Sequence, residues 1–150
     1  MANPKDEVYS RPMPSIEAFR FDQSVADVFQ DMIERSVPGY GLVLQLIGVL
    51  AEKYGRPGTR AYDLGCSLGA STLQLRRHLP DDCHVVGVDN SEAMVSRCTA
   101  NLSRDHSAAS YEILLEDLRE TTIENASIVI LNFTLQFVPD EERKNILAHI

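Results

Sequence analysis

Apolar residues in the first part of the chain recur at helical spacing, ahead of a region in which strands and helices alternate. One stripe has apolar residues at i, i+3, i+4, i+7 and i+8, namely Val25, Val28, Phe29, Met32 and Ile33. This spacing predicts a helix that Asp22 or Ser24 could cap at its N-terminus. Proline and glycine within residues 36–40 break the pattern, and a second, very apolar helix is predicted from about residue 41 to residue 54.

From residue 59 onward the pattern changes to short apolar strands separated by helical segments. The sequence predicts strands over 60–64, 84–88, 111–115 and 127–132, and helices over 70–78, after Ser91, and after Pro139. Such alternation is typical of an α/β domain with a doubly wound, mostly parallel sheet. The last strand is a continuous apolar run, which is expected of a strand covered on both faces.

The ends of the chain differ from its middle. Residues 1–14 are polar and contain three of the prolines, so residues 1–20 are predicted to form an N-terminal arm. Residues 21–150 are predicted to form one domain, with two leading helices followed by four β/α units. The sequence stops inside an amphipathic helical pattern with no cap and no following strand, so we expect the domain to be truncated at its C-terminal side.

Composition and charge narrow the classes of partner. The chain has 14 Lys and Arg against 22 Asp and Glu, a formal net charge of −8. This balance argues against direct binding to nucleic acid or to an anionic membrane surface, which clustered basic residues would favour. The most apolar stretch, residues 41–51, is too short to span a bilayer. Three cysteines without a CxxC pair and four histidines without ligand spacing indicate no metal site and a cytoplasmic protein.

The strongest chemical signal is a glycine-rich loop between the first predicted strand and its helix. Residues 62–69 read Tyr-Asp-Leu-Gly-Cys-Ser-Leu-Gly, and Asp89 ends the next predicted strand. Glycines at such a turn let a ligand approach the backbone and the helix N-terminus, while an acid at the second strand end can accept hydrogen bonds from both hydroxyls of a ribose. The combination predicts a nucleoside cofactor site, although a tight turn and a helix cap would need the same residues.

The residues of this loop are compatible with two other kinds of site. A dinucleotide site would have glycine at the position of Ser67, whereas the spacing that begins at Asp63 resembles the loop of S-adenosylmethionine (SAM) dependent Rossmann-like enzymes. The loop also matches the nucleophile elbow of hydrolases, with Ser67 as nucleophile and Asp117 and His149 as possible triad partners. The hydrolase interpretation is disfavoured because such an elbow normally follows several strands.

Residues at the other strand ends extend the predicted site. Asp117 could accept a hydrogen bond from an adenine amino group, and the backbone N–H of Leu118 could reach a ring nitrogen, although Asp117 could also be a solvated loop acid. Asn132 ends an apolar strand, where an amide needs a partner. Tyr40 could cover the crevice or belong to the core. Cys66 is interpreted as a packing residue, because no neighbouring cation would lower its pKa.

Several strings together resemble the carboxy-S-adenosyl-L-methionine synthase family over about residues 21–150. They are SVPGY at 36–40, YDLGCSLG at 62–69, DNS at 89–91 and LNFTLQF at 131–137. The resemblance implies a Rossmann-like SAM-methyltransferase fold and an enzyme that converts SAM and prephenate into carboxy-SAM and phenylpyruvate. It implies that carboxy-SAM contacts Tyr40, Gly65, Cys66, Ser67, Asp89, Asn90, Asp117, Leu118 and Asn132.

The resemblance also implies a mechanism and a pathway. Prephenate would lose its carboxyl group as it aromatises, and its departing oxygen would take a proton from the sulfonium methyl group, so no catalytic side chain is assigned. A downstream tRNA carboxymethyl-type transferase would use the product to modify the wobble uridine. Family members are longer, form homodimers and bind the new carboxylate through an arginine outside this segment. A conventional methyltransferase and an inactive nucleotide-binding fragment are the alternatives.

Overall fold

A computed structural model describes residues 23–150, which form helices around a single sheet; the predicted arm over residues 1–20 lies outside them. Two helices lead, α1 (Gln23–Ser36) and α2 (Tyr40–Tyr54). The following elements are β1 (Arg60–Leu64), α3 (Ala70–His78), β2 (His84–Asp89), α4 (Glu92–Leu102), β3 (Ser110–Leu115), β4 (Ala126–Ile130), a 3-10 turn (Leu135–Phe137) and α5 (Asp140–His149).

The sheet has the strand order β3-β2-β1-β4, and every neighbouring pair is parallel. The chain therefore builds outward from β1 through β2 to β3 and then crosses to the other side of β1. In such doubly wound sheets, ligands bind outside the carboxyl ends of the strands at the point where the order reverses. The predicted α/β class and doubly wound topology are confirmed, and the strand order reverses at β1, which β2 and β4 flank.

Alternate residues of the central strands form two hydrophobic cores. Ala61 and Val85 face α2 and α3, in a core that also contains Ile47 and Leu75. The intervening residues form the core on the opposite face of the sheet, namely Tyr62, Leu64, Val86 and Val88. This second core packs against Leu118 from the connection after β3. Both faces of β1 and β2 are thus buried, which holds their carboxyl ends in place.

The structure corrects two details of the predicted elements. The connection from β3 to β4, residues 116–125, contains turns but no helix, so the prediction of four β/α units fails at the third unit. Local hydrogen bonds from Arg119 and Glu120 to Asp117 fold this segment into a turn instead. The predicted strand over 127–132 ends at Ile130, and β4 is half-buried at the edge of the described sheet.

The helix termini agree with the capping patterns except in α1. Ser91 accepts a hydrogen bond from the Met94 amide and caps α4, and α5 begins after Pro139 with acidic residues in its first turn. Ser24 lies inside α1 rather than at its cap, and Asp22 lies outside the described residues. Within residues 23–150, no helix combines the length and the apolar character needed to cross a membrane.

Candidate functional site

A cavity of about 1120 Å³ opens at the carboxyl ends of the strands. Residues from the loops after all four strands line it, together with residues of α1 and α2. The structure brings together in its walls every residue predicted as a cofactor contact: Tyr40, Gly65, Cys66, Ser67, Asp89, Asn90, Asp117, Leu118 and Asn132. A volume of this size is large enough for a nucleoside cofactor and part of a second small molecule.

The glycine loop is closely packed on both sides. Gly65 has φ 83°, and a Cβ at this position would lie 2.5 Å from the side chain of Thr134. Gly69 has φ 86°, and its Cβ would lie 2.6 Å from Leu102. The amides of Gly65 and Cys66 both donate to the carbonyl of Val88, at 2.8 and 2.9 Å. These two hydrogen bonds hold the loop against the end of β2. Only glycine fits both the left-handed backbone and the close approach of Thr134 and Leu102.

Asp89 at the end of β2 is held by backbone amides. Its Oδ2 accepts from the Ser67 amide and its Oδ1 accepts from the Ser91 amide, each at 2.9 Å. Burial raises the pKa of Asp89, and these backbone hydrogen bonds act in the opposite direction. Each carboxylate oxygen has more than one acceptor site, so Asp89 retains capacity for ligand hydroxyl groups at the cavity wall.

Asp63 lies beneath the loop and is almost fully buried, with 1% of its surface exposed. The Thr72 hydroxyl donates to its Oδ2 at 2.6 Å and so connects β1 to α3. Burial raises the pKa of Asp63 to about 6, and the nearby charge of Asp89 acts in the same direction. Asp63 does not line the cavity, and its contact with Thr72 makes it a support for the loop.

Asp117 after β3 is held by a side chain that sequence reasoning missed. The Arg119 Nε donates to Asp117 Oδ1 at 2.9 Å, and Nη2 donates to Oδ2. Arg119 Nη1 also donates to Glu142 of α5 at 2.6 Å. Arg119 holds the pKa of the Asp117 carboxyl below its usual value. The Asp-Leu-Arg spacing was the available signal, but a contact with Glu142 cannot be recognised from local spacing.

The residues after β4 form the opposite wall. Asn132 lies two residues beyond the strand, and its Nδ2 donates to Ser71 Oγ at 3.1 Å. Thr134 donates to the Leu64 carbonyl at 2.8 Å, which fixes it beneath Gly65. Phe133 has φ 56°, a left-handed conformation that is rare for a bulky residue, and it turns the chain out of the strand. The wall of the cavity is therefore tied to β1 and α3.

Tyr40 belongs to the cavity wall, which resolves one of the open alternatives. It is the first residue of α2, and its ring lies 6.2 Å from the ring of Phe133, centroid to centroid. Burial raises the pKa of Tyr40, and the negative charges of Asp63 and Glu34 add to this effect. The tyrosine hydroxyl consequently remains protonated and can donate a hydrogen bond at neutral pH.

Cys66 and Asn90, two other predicted ligand contacts, differ in how far their side chains are buried. The Cys66 side chain is buried with Cys98 and Leu102, so only its backbone can face a ligand. A hydrogen bond with the Cys98 thiol and burial both raise the pKa of Cys66, which agrees with its interpretation as a packing residue. Asn90 is exposed at the cavity rim, next to Asp89.

The structure does not assemble the triad of the hydrolase interpretation. Ser67 and Asp117 line the cavity, but His149 on α5 is not among the lining residues. Its Nε2 bonds instead to the carbonyl of Thr121 at 3.1 Å. Asp117 is paired with Arg119, so it is not placed to orient a histidine. Within residues 23–150, no group of three or more His, Cys, Asp or Glu side chains is arranged to hold a metal ion.

The charged side chains that line the cavity are mostly acidic. Acidic side chains contribute at four lining positions, namely Glu34, Asp89, Glu116 and Asp117. Among the described residues that line the cavity, Arg119 is the one basic side chain, and two carboxylates already neutralise it. Such a surface favours a ligand that carries positive charge.

Sequence comparison places this geometry in a family. A family profile described as a methyltransferase domain matches residues 61–150. Proteins named carboxy-S-adenosyl-L-methionine synthase are similar over nearly the whole chain, which confirms the resemblance seen in the sequence strings. The protein from Vibrio cholerae is 49% identical over 149 residues, covering 99% of this chain and 61% of the relative. That from Shewanella piezotolerans is 48% identical, covering 100% of this chain and 62% of the relative.

Solved structures share the fold at low sequence identity. A candidate SAM-dependent methyltransferase from Methanococcus maripaludis has a TM-score of 0.67 and 19% identity, over 91% of this chain and 62% of the other. Magnesium protoporphyrin IX methyltransferase from Synechocystis, solved with bound SAM, has a TM-score of 0.59 and 21% identity, over 74% of this chain and 52% of the other. These likenesses support the fold alone. The chain spans about 61% of the length of the curated Vibrio relative.

Proposed function

The chain belongs to the methyltransferase-domain family, and we propose that it forms the nucleoside-binding part of a carboxy-S-adenosyl-L-methionine synthase. The proposed reaction joins the carboxyl group of prephenate to the methyl carbon of SAM, giving carboxy-SAM, phenylpyruvate and water. Support comes from 49% identity to proteins of that name over 99% of this chain. Because the chain spans only part of those relatives, the activity is proposed for the whole protein.

We assign the roles of the lining residues from the positions of their hydrogen-bonding groups. Asp89 would accept from the ribose hydroxyls, and Asp117 from the adenine amino group, with the Leu118 N–H reaching a ring nitrogen. The backbone of residues 65–67 and the side chain of Asn132 would contact the methionine part. Tyr40, with its protonated hydroxyl, would cover the ligand from α2.

The charge of the cavity supports a sulfonium ligand. SAM supplies a methyl group made acidic by the adjacent positive sulfur. The acids that line the cavity, including Glu34 and Asp89, would favour that charge. Prephenate is a dianion, and Arg119 is already paired with Asp117 and Glu142, so the described residues offer no unpaired cation in the cavity wall for it. Further residues of the whole protein are expected to bind its carboxylates.

In the proposed reaction atoms and charges balance without a catalytic side chain. The bond between the prephenate ring and its carboxyl group breaks and releases carbon dioxide. The ring becomes aromatic as its hydroxyl substituent leaves as hydroxide. That hydroxide takes a proton from the SAM methyl group to become water, and the methyl carbon forms a bond to the released carbon dioxide. The cavity walls built by the loops after β1 and β4 would exclude bulk water and keep the released carbon dioxide beside the methyl carbon.

The observation that carries the nucleoside assignment is Asp89, held at the end of β2 by the amides of Ser67 and Ser91. Mass spectrometry of the small molecule released from the purified, denatured protein tests it directly. Carboxy-SAM is expected. SAM or S-adenosylhomocysteine would retain the site and favour a conventional methyltransferase, and an empty protein that also fails to bind added SAM would contradict the assignment.

A turnover assay tests the second substrate. The full-length protein is incubated with SAM and with prephenate isotopically labelled in its carboxyl group, and transfer of the label into carboxy-SAM is followed. We expect transfer that depends on prephenate, and unlabelled product or none would contradict the proposed carboxyl donor. The net charge of −8 of these 150 residues is unfavourable for binding tRNA, so the proposed function leaves tRNA modification to a separate enzyme that uses the product. Assembly as a homodimer remains part of this proposal.

A further inference from the structure

Arg119 has a position that the proposed catalytic chemistry does not use. It lines the cavity, yet both of its neighbours in the structure are carboxylates of the protein. We propose that Arg119 is a positioning residue that orients the Asp117 carboxylate, so that the site selects a 6-amino purine over a 6-oxo purine. This inference rests on the proposed function, since it assumes that Asp117 faces the adenine.

The contacts around Asp117 leave its carboxylate little freedom to rotate. Oδ1 accepts from the backbone N–H and from Nε of Arg119, both at 2.9 Å, and Oδ2 accepts from Nη2. The backbone carbonyl of Asp117 accepts from the Glu120 amide at 2.9 Å, which closes the turn. A planar guanidinium that meets both oxygens fixes the plane of the carboxylate as well as its position. The remaining acceptor sites of Asp117 therefore have a defined direction.

Ionisation decides which purine edge such a carboxylate can bind. An aspartate is ionised at neutral pH, and Arg119 lowers the pKa of Asp117 further, so the group is an acceptor without a proton to donate. An acceptor matches the 6-amino group of adenine, and it repels the 6-oxo group of hypoxanthine or guanine. Without the Arg119 side chain, Asp117 would keep the bond from the residue-119 amide to Oδ1, but no other donor within residues 23–150 would fix the direction of Oδ2.

The contact with Glu142 places Arg119 itself. Its Nη1 donates to Glu142 Oε2 at 2.6 Å, so the guanidinium spans from the loop after β3 to the first turn of α5. An arginine with a single partner samples more side-chain conformations than an arginine held by two partners. The second contact therefore keeps the guanidinium in place beside Asp117. The same pairing leaves Arg119 without free charge for an anionic substrate, which separates this role from direct substrate binding.

Calorimetry with two neutral ligands tests the inference in the full-length protein. S-adenosylhomocysteine carries the 6-amino group, and S-inosylhomocysteine carries a 6-oxo group at the same place. In Arg119→Gln we expect the preference for the adenine ligand to fall about tenfold, with little change in affinity for the inosine ligand, as for loss of one charge-assisted hydrogen bond. Arg119→Lys should restore part of the preference.

Arg77→Gln is the matched control, because Arg77 is also a half-exposed arginine paired with an aspartate, Asp105, outside the cavity. It should retain the full preference. A preference unchanged in Arg119→Gln would overturn the inference while leaving the proposed function intact, and so would equal loss of both ligands. A wild-type protein that binds neither ligand would overturn the proposed function, and the inference with it.

Discussion

Two carboxylates at neighbouring strand ends are held in different ways. Asp89 at the end of β2 is fixed by two backbone amides, one from the glycine loop and one from the α4 cap, and burial raises the pKa of Asp89. Asp117 after β3 accepts from one backbone amide, that of residue 119, and its second oxygen is held by the side chain of Arg119, which lowers the pKa of Asp117. The backbone amides come with the fold, whereas a salt bridge depends on a single residue that substitution can remove.

The difference follows from what surrounds each strand end. β2 lies between β1 and β3, so the loop after β1 is adjacent and supplies the Ser67 amide. β3 is the edge of the sheet, and the connection after it has no helix whose N-terminal amides could hold an acid. The guanidinium of Arg119 supplies the donor to the second oxygen of Asp117 that an amide supplies for Asp89.

The largest loss of ligand affinity is expected from Asp89→Asn. An asparagine can accept from only one of the Ser67 and Ser91 amides, and it removes the charge that would bind the ribose hydroxyls. Affinity for S-adenosylhomocysteine should fall about 100-fold by calorimetry, corresponding to two charge-assisted hydrogen bonds. Asp81→Asn, in the exposed turn before β2, is the control and should have no effect. Unchanged binding by Asp89→Asn would mean that the ribose lies elsewhere.

Gly65→Ala tests the backbone that supports Asp89. The new Cβ would meet Thr134, which cannot move away because its hydroxyl donates to Leu64. Together with the left-handed φ, this should destabilise the protein by about 2 to 4 kcal/mol in denaturant unfolding. Gly41→Ala is the matched control, since no atom lies within 4 Å of its Cβ position, and it should be neutral or stabilising. Equal stability of the two variants would contradict the packing described for the loop.

Asp63 extends the comparison to a carboxylate with no ligand role. Its folded-state pKa of about 6 lies above the usual 3.8, so the folded protein binds this proton more tightly than the unfolded chain. The stabilisation from protonation is fully present below pH 3.8 and is lost as the pH rises through about 6. The free energy of unfolding of the wild type should therefore decrease as the pH rises across this interval. In Asp63→Asn this decrease should be smaller, by on the order of 1 to 3 kcal/mol.

The measurement is urea unfolding of both proteins at several pH values. Asparagine can still accept from the Thr72 hydroxyl, so the connection between β1 and α3 should survive. Parallel pH profiles for wild type and Asp63→Asn would show that another group is responsible.

The smallest effect is expected from Glu142→Gln, which removes charge from the α5 end of the Arg119 contact. Arg119 keeps its bonds to Asp117, so affinity for S-adenosylhomocysteine should fall only about twofold to threefold. Glu141→Gln, exposed on the same turn of α5, is the matched control and should be silent. A loss as large as that of Arg119→Gln would show that α5, rather than the guanidinium, sets the position of Asp117.

Most elements could be predicted because their signals are local. Glycines at 65 and 69 mark the turn between β1 and α3, and both elements have the predicted bounds. The end of β4 could not be predicted, because Leu131 continues the apolar pattern although the strand ends at Ile130, and the left-handed conformation of Phe133 leaves no trace in that pattern. The absence of a helix after β3 could not be predicted either, because hydrogen bonds to Asp117 fold this segment into a turn.

Local patterns in the chain specify the doubly wound class, the glycine loop and the acids at the strand ends, since periodicity and turn chemistry act between neighbouring residues. The partners that hold those acids and close the cavity depend on how the folded chain packs. Thr134 meets Leu64 across 70 positions and Arg119 meets Glu142 across 23. Such partners are chosen by the packing of the folded chain, because contacts between distant residues leave no periodic trace in either segment.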